Sequence, residues 1–300
     1  LVLPDSLDAD DFEPPSGIEL MSDLLVPRAL TREIIAKGFG QGATSYEKDA
    51  EVQRVAAAEL AHLLELVRDQ IPMGPILEVG CGTGFVTRHL SRLFPDRELE
   101  VTDLSPEMLE LCRVSMGGHR GRIGFRVVDG EEIESTKEYP LITAGFVVQW
   151  FHNPARGLLR LSNLLAPQGV LIASLPGRGS FPEWREACQN AGIDYPGIEL
   201  PEAAELAATL STCGVKVSVV SSSYTERYTT PLHFFYHLRR IGAAPGVREG
   251  RLSPARMRGI LREIEADANG MTPVTYELIY LMVRPSPASG TESLLAVSSQ

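Results

Sequence analysis

The chain has 300 residues, with 28 lysines and arginines against 39 aspartates and glutamates, for a formal charge of -11. Proteins that hold nucleic acid by counterion release carry a basic face, so this acidic balance argues against nucleic acid as a partner. Hydrophobic residues at 44% and charged residues at 22% describe an ordinary globule with a sizeable core, and exclude collagen, coiled coil and wholesale disorder.

Residues 1–30 hold seven acids and a single base, Arg28, with Pro4, Pro14 and Pro15 interrupting any period, so they are expected to form a disordered acidic tail. From Ser45 to Asp69 the apolar Val52, Val55, Ala56, Leu60, Leu63, Leu64 and Val67 recur at three- and four-residue spacing, which predicts one helical stripe ended by Pro72, Gly74 and Pro75. Predicted strands follow at Ile76 to Val79, Leu99 to Thr102, Ile123 to Val127, Leu141 to Val148, Val170 to Ser174, Val215 to Val220 and Tyr276 to Val283. Helices are predicted between them at Phe85 to Phe94, Ser105 to Val114 and Ala155 to Leu165, the second capped by Ser105 with Pro106 in its first turn. Such alternation implies an α/β fold whose parallel sheet carries helices on both faces and a ligand at the carboxyl ends of its strands. The folded part is expected over 31–284, followed by a flexible tail at 285–300 that begins with Pro285 and Pro287.

The longest nearly uncharged run, around Leu141 to Phe151, is about half the ~20 residues that cross a bilayer. No charged-then-apolar signal stands at the start of the sequence, so the chain reads as soluble and cytoplasmic, with no membrane partner. Cys81, Cys112, Cys188 and Cys213 form no CxxC pair and no Cys/His cluster, so reduced thiols and no metal are expected.

In ILEVGCGTG, residues 76–84, Gly80, Gly82 and Gly84 stand directly after a strand and before a helix. Glycines there let the backbone pass close under a ligand, and the helix start offers unpaired amides. A dinucleotide fingerprint would need a third glycine where Phe85 stands, and Glu78 would put a carboxylate beside a pyrophosphate. An acidic strand residue with a short GxGxG turn suits a cationic ligand instead.

In these residues the sequence resembles the class I S-adenosylmethionine-dependent methyltransferases. The resemblance implies a Rossmann-like sheet, mostly parallel with an antiparallel last strand, plus N-terminal lid helices over 31–70 and a helical insert over 231–270. It implies that Glu78, Gly80, Cys81, Gly82 and Gly84 line the methionine end of the cofactor, Cys81 as a small packing residue. Asp103, in EVTDLSPEML, would accept the ribose hydroxyls, with Leu104 on the adenine. Asp129 and Gly130, in VVDGEEI, would form the acidic turn at the adenine, and Phe146, in the fourth strand, would also bind the cofactor.

Further stretches, FGQGATSY (39–46) with Gln53, QWF (149–151), SLPGRGSFPEWREA (174–187), FFYHLRRIGA (234–243) and TYELIY (275–280), resemble the malonyl-acyl-carrier-protein O-methyltransferases of biotin synthesis. That resemblance covers about 37–284 and implies esterification of the free carboxylate of a malonyl thioester, carried on acyl carrier protein or coenzyme A. Tyr46 would reach over the cofactor as part of the lid. A carboxylate, with a reference pKa of about 4, needs no base, so His152, beside Trp150 and Phe151, reads as structural. It does call for a cationic partner, preferably arginine, and Arg185, Arg239 and Arg240 are the candidates. Phe181 and Trp184 depart from the smaller residues expected of the family, which implies an acyl pocket of shifted shape. A methyltransferase of a free aconitate-like acid and a non-catalytic cofactor-binding protein of the same fold are the alternatives.

Between Arg227 and Arg262 stand eight arginines (227, 239, 240, 248, 251, 256, 258, 262) and one acid, Glu249. A basic insert on an acidic chain would suit an acidic carrier with salt-dependent encounter.

Overall fold

The computed structural model describes residues 31–117, 122–243 and 253–286. The acidic segment 1–30, Arg248, Glu249 and Arg251 of the insert, and residues 287–300 lie outside the described residues.

Helix α1 (Arg32–Asp49) starts at Thr31, whose hydroxyl accepts from the Ile34 amide, and α2 (Glu51–Val67) buries Val52, Ala56, Leu60 and Leu64 on one stripe. The single helix expected from Ser45 is therefore two. They meet at Ala50, which leaves helical geometry (φ -82°, ψ 62°) while its amide returns to the Tyr46 carbonyl at 2.9 Å. The apolar period alone does not register this joint, because Ala50 is itself a good helix former.

The strands are β1 (Ile76–Val79), β2 (Leu99–Asp103), β3 (Ile123–Val127), β4 (Tyr139–Gly145), β5 (Leu165–Pro176), β6 (Val215–Tyr228) and β7 (Thr272–Pro285). They form one sheet in the order β3-β2-β1-β4-β5-β7-β6. β1 to β5 pair in parallel, and β7 runs antiparallel to both neighbours, so the fold class agrees with expectation. β6 and β7 run well beyond their apolar centres, to Tyr228 and from Thr272. The outer end of β7 buries Thr272, Val274 and Tyr276 in alternation, whereas that of β6 is mixed Ser, Thr, Glu, Arg and Tyr without a buried residue and so carries little periodic signal.

The remaining helices are α3 (Phe85–Leu93), α4 (Pro106–Ser115), α5 (Pro154–Ser162), α6 (Pro182–Asn190), α7 (Ala203–Thr212), α8 (Pro231–Arg240) and α9 (Pro254–Glu263). Four of them share one start signal. Ser105, Asn153, Thr230 and Ser253 each accept an amide three residues on, and proline follows each where its missing N–H is not needed. α5 ends earlier than expected, at Ser162, and β5 begins earlier, at Leu165. α6 and α7 were not anticipated. α6 starts from Phe181 in left-handed geometry (φ 62°), an entry that no propensity rule assigns to phenylalanine.

Two apolar clusters cover the sheet. Leu60 and Leu64 of α2, Leu90 of α3 and Met108 of α4 fill one; Leu158 and Leu161 of α5 and Leu206 and Leu210 of α7 fill the other. Among the described residues no helix is long and apolar enough to cross a membrane, and no group of metal-ligating side chains is found.

Candidate functional site

The carboxyl ends of β1, β2 and β4 open into a cavity of about 600 Å³. Its floor is the turn after β1. Gly80, Gly82 and Gly84 all have positive φ (70°, 53° and 97°), so side chains there would be strained. At Gly80 a Cβ would also meet Val147 at 2.5 Å, whereas at Gly82 the nearest atom is Tyr46 Cε1 at 3.7 Å. The turn is tied to β2 by Asp103, whose Oδ2 accepts the Gly82 amide and whose Oδ1 accepts the Ser105 amide, both at 2.8 Å. Burial raises the Asp103 pKa, opposed by amide hydrogen bonds from Ser105, Gly82 and Leu104.

At one end of the cavity the turn after β3 presents Asp129. Its Oδ1 accepts the Glu131 amide at 2.9 Å, and it forms an ion pair with Arg32 of α1. Gly130 is required by packing, since a Cβ would lie 2.3 Å from Val79. Glu131, which the sequence reading passed over, is buried and accepts the His152 and Asn153 amides at 2.7 Å each. It fixes the loop carrying Trp150 and Phe151. The His152 amide donates to Glu131, and the residue is exposed and lines the cavity.

The rest of the wall is made by Tyr46 and Phe39 from α1, Gln53 from α2, Phe85 from α3, Phe146 following β4 and Ser174 from β5. Tyr46 stacks on Phe85 at 6.0 Å, and Phe39 meets Trp150 edge-on at 5.3 Å. Burial, with the Asp103 charge second, pushes the Tyr46 phenol far above its usual range, so it stays a neutral donor. Phe146 is held at φ 54° by its amide on the Ser174 carbonyl (2.8 Å) and by Gln149 Nε2 on its own carbonyl (2.7 Å). Such a backbone persists only where its surroundings enforce it. Gln53 Oε1 and Ser174 Oγ are buried without a hydrogen-bond partner. Polar atoms in that condition at a cavity wall await a ligand.

α1 is latched over this wall. Glu47 accepts from the Thr83 hydroxyl at 2.7 Å and pairs with Arg88 at 2.9 Å, joining the C-terminal end of α1 to the glycine turn and α3.

Several expected site residues lie elsewhere. Gly84 caps α3, and a Cβ there would approach Cys112 Sγ at 3.0 Å, not the cavity. Glu78 is buried behind the turn and does not line the cavity. Burial pushes its pKa up to about 8, against hydrogen bonding from Thr87. Arg185, Arg239 and Arg240 are not in the lining. Arg185 lies over the Tyr195 ring at 4.0 Å with its Nε on the Ser180 carbonyl at 3.2 Å, and Arg240 pairs with Asp49 at 2.8 Å. Arg239 is exposed. The cationic side chains that do line the cavity are Arg32 and Arg156, at the Asp129 end. Phe181 and Trp184 do not reshape an open acyl pocket. They pack with Phe234, Phe235, Tyr195 and Tyr276, and the space left beside them is about 10 Å³, no more than one water can fill.

Comparison with known proteins agrees with this geometry. Residues 77–171 match the family described as "Methyltransferase domain". The malonyl-[acyl-carrier protein] O-methyltransferase of Magnetococcus marinus is 33% identical over 248 residues, 82% of this chain and 90% of that protein. Its counterpart from Brevibacillus brevis is 30% identical over 275 residues, 86% of this chain and 98% of that protein. Among solved structures, the DhpI–SAM–HEP complex superposes with a TM-score of 0.53 at 17% identity, covering 87% of this chain and 100% of that one.

Proposed function

From the premise that the chain belongs to the malonyl-[acyl-carrier protein] O-methyltransferase family, we propose how its cavity performs that reaction. The enzyme transfers a methyl group from S-adenosylmethionine to the free carboxylate of a malonyl thioester on acyl carrier protein, an early step in making the pimeloyl moiety of biotin. The observation that carries the site assignment is one cavity that brings together the glycine turn, the strand-end acids Asp103 and Asp129, an aromatic wall and the unpaired polar atoms of Gln53 and Ser174.

The residues present fit the cofactor. Gly80, Cys81 and Gly82 bring bare backbone to the cavity; Asp103 and Asp129 offer carboxylates to hydroxyl and amino donors; Leu104 gives an apolar face, and Gly130 keeps the Asp129 turn tight on Val79. Among the lining residues the acids Glu33, Asp103, Asp129, Glu131 and Glu132 outnumber the arginines Arg32 and Arg156, which suits a ligand that is itself cationic. The cofactor, when bound, supplies a methyl group activated by a positively charged sulfonium.

The protein's own work is alignment and exclusion of water. Phe39, Phe85, Phe146 and Trp150 make the acceptor end dry. Ser174, whose hydroxyl is buried and unpaired, orients the malonyl carboxylate as a donor, Tyr46 closes over it as a neutral donor, and Gln53, whose unpaired atom is the acceptor Oε1, takes an N–H or O–H of the bound ligands. A malonate-type carboxyl is ionised at neutral pH, with a reference pKa near 4, so no side chain has to remove a proton. The electrostatic partner of the substrate carboxylate is then the sulfonium, since Arg185, Arg239 and Arg240 do not line the cavity. Malonyl-CoA, which carries the same acyl thioester, serves as a minimal substrate.

The test is a substrate panel with labelled cofactor and malonyl-, succinyl- and acetyl-loaded carrier, together with free aconitate. Methyl ester should form fastest on the malonyl thioester. Faster labelling of the free acid would move the enzyme to the small-acid methyltransferases.

A further inference from the structure

The arginines of α8 and α9 stand apart from those elsewhere. Around the rest of the described surface arginine is mostly paired, as in Arg88–Glu47, Arg126–Glu100, Arg160–Glu132, Arg178–Glu205 and Arg227–Asp267. Arg239 on α8 and Arg256, Arg258 and Arg262 on α9 are exposed, and among the described residues none has an acidic group within 4.0 Å. Glu263 closes α9 as the one acid of these two helices. Four unneutralised guanidinium groups on an otherwise acidic protein are a local reversal of its charge.

The face that carries them is fixed. Phe234, Phe235 and Leu238 of α8 and Met257 and Ile260 of α9 are buried in the same apolar cluster as Trp184, which orients both helices with their charged sides to solvent. α8 is also fastened to α1, the outer wall of the cavity. The Ser45 hydroxyl donates to the Arg240 carbonyl at 2.7 Å, Asp49 pairs with the Arg240 side chain, and a Cβ at Gly42 would lie 2.6 Å from the Arg240 carbonyl. No larger residue fits at that crossing, so α8 and the cavity wall behave as one unit.

We infer that the exposed sides of α8 and α9 are the docking surface for the acidic helical face of the carrier protein that presents the malonyl thioester. The inference rests on the methyl-transfer reading above and goes beyond it by naming the surface. A protein of net charge -11 repels an acidic partner over most of its surface, and these two helices are where attraction replaces repulsion. Charges at an exposed rim govern encounter and register more than chemistry, so the surface should act on carrier affinity and leave the methyl-transfer step alone.

The experiment compares the full-length chain with Arg256→Glu/Arg258→Glu/Arg262→Glu, using malonyl-loaded carrier and malonyl-CoA as substrates. S-adenosylhomocysteine affinity serves as the control for folding. KM for the carrier should rise by about tenfold or more with kcat unchanged, while malonyl-CoA kinetics and S-adenosylhomocysteine binding stay within about twofold. Raising salt from about 50 to about 300 mM should weaken carrier binding to the natural chain and leave the variant's nearly flat. An unchanged carrier KM, or equal losses on both substrates, overturns the inference, as does tighter binding of this face to DNA or to phosphatidylglycerol vesicles than to the carrier. If the triple variant loses S-adenosylhomocysteine, the Arg→Gln version of the same three positions decides by its salt slope. If the natural chain methylates neither thioester, the methyl-transfer reading has failed instead, and direct titration with malonyl-loaded carrier still decides the docking surface.

Discussion

The two ends of one cavity are built by different means. At the glycine-turn end the polar contacts are short-range and made by backbone amides. Gly82 and Ser105 both donate to Asp103, and Glu131 donates to Asp129, so the residues involved sit within a few positions of three strand ends. At the acceptor end Tyr46, Gln53, Phe146 and Ser174 arrive from four separate elements, and none is recognisable without knowing where the other three lie. A local motif carries its own geometry; an assembled pocket does not.

The largest expected effect breaks the first end. Asp103→Ala removes the acceptor that ties β1's turn to β2. Leaving the Gly82 and Ser105 amides unpaired should cost about 1–3 kcal/mol of stability, and the lost ribose contact should lower S-adenosylmethionine affinity about a hundredfold. Calorimetric titration and thermal denaturation read the two losses separately.

Next in size is Glu78, hidden behind the same turn. Its folded pKa of about 8 lies above the ordinary 4.5, so folding favours the protonated form. That contribution to stability is full below pH 4.5 and is lost as pH rises through 8. Glu78→Gln should therefore match the natural chain at pH 4 and gain on it between 4.5 and 8, by on the order of 3 kcal/mol in the absence of cofactor. A cationic ligand favours the ionised carboxyl. Cofactor binding at pH 7 should release a proton in the natural chain and none in the variant, whose affinity should fall about tenfold. Titration heats in two buffers of different ionisation enthalpy measure the release. Equal heats in both buffers would remove Glu78 from any part in binding.

Legibility in the sequence follows the same division. The alternation of strands and helices, the parallel sheet that it implies and the turn glycines are legible because each follows from runs of a few consecutive residues. The joint at Ala50, the left-handed start of α6 at Phe181 and the long β6–β7 edge are not, since tertiary packing or ladder pairing imposes them. Glu131 had a local signal, two acids following Gly130 in VVDGEEI, but its role on the His152 and Asn153 amides spans two loops. A carboxylate calls for a cation, which points to the three arginines. That requirement is chemically sound, yet Arg185 lies over Tyr195 outside the cavity lining with its Nη2 unpaired, Arg240 pairs with Asp49 and Arg239 is exposed.

A smaller effect sharpens the acceptor end. Ser174→Ala removes a hydroxyl, and Gln53→Leu an amide group with its Oε1, that the protein itself leaves unpaired. Stability should be unchanged or slightly higher, because replacing an unsatisfied buried polar group costs nothing in the free protein. KM for the malonyl thioester should rise about fivefold for each, with S-adenosylmethionine affinity held. A fall in cofactor affinity instead would place both residues at the methionine end.

The smallest effect separates the arginines from the chemistry. Arg185→Lys keeps the charge but gives up a planar group that lies over Tyr195 and donates through Nε to the Ser180 carbonyl. Lysine reproduces neither contact well, so about 1 kcal/mol of stability should be lost. That loss is local to α6 and the segment around Tyr195, neither of which lines the cavity, and kcat/KM on malonyl-CoA should change by less than about twofold. A guanidinium that gripped the substrate would behave in the opposite way, since exchanging a fork for a point charge weakens carboxylate binding while leaving the fold nearly untouched. A KM increase of about tenfold with an unchanged melting temperature would therefore return Arg185 to the acceptor site and displace the sulfonium from its place as the carboxylate's partner.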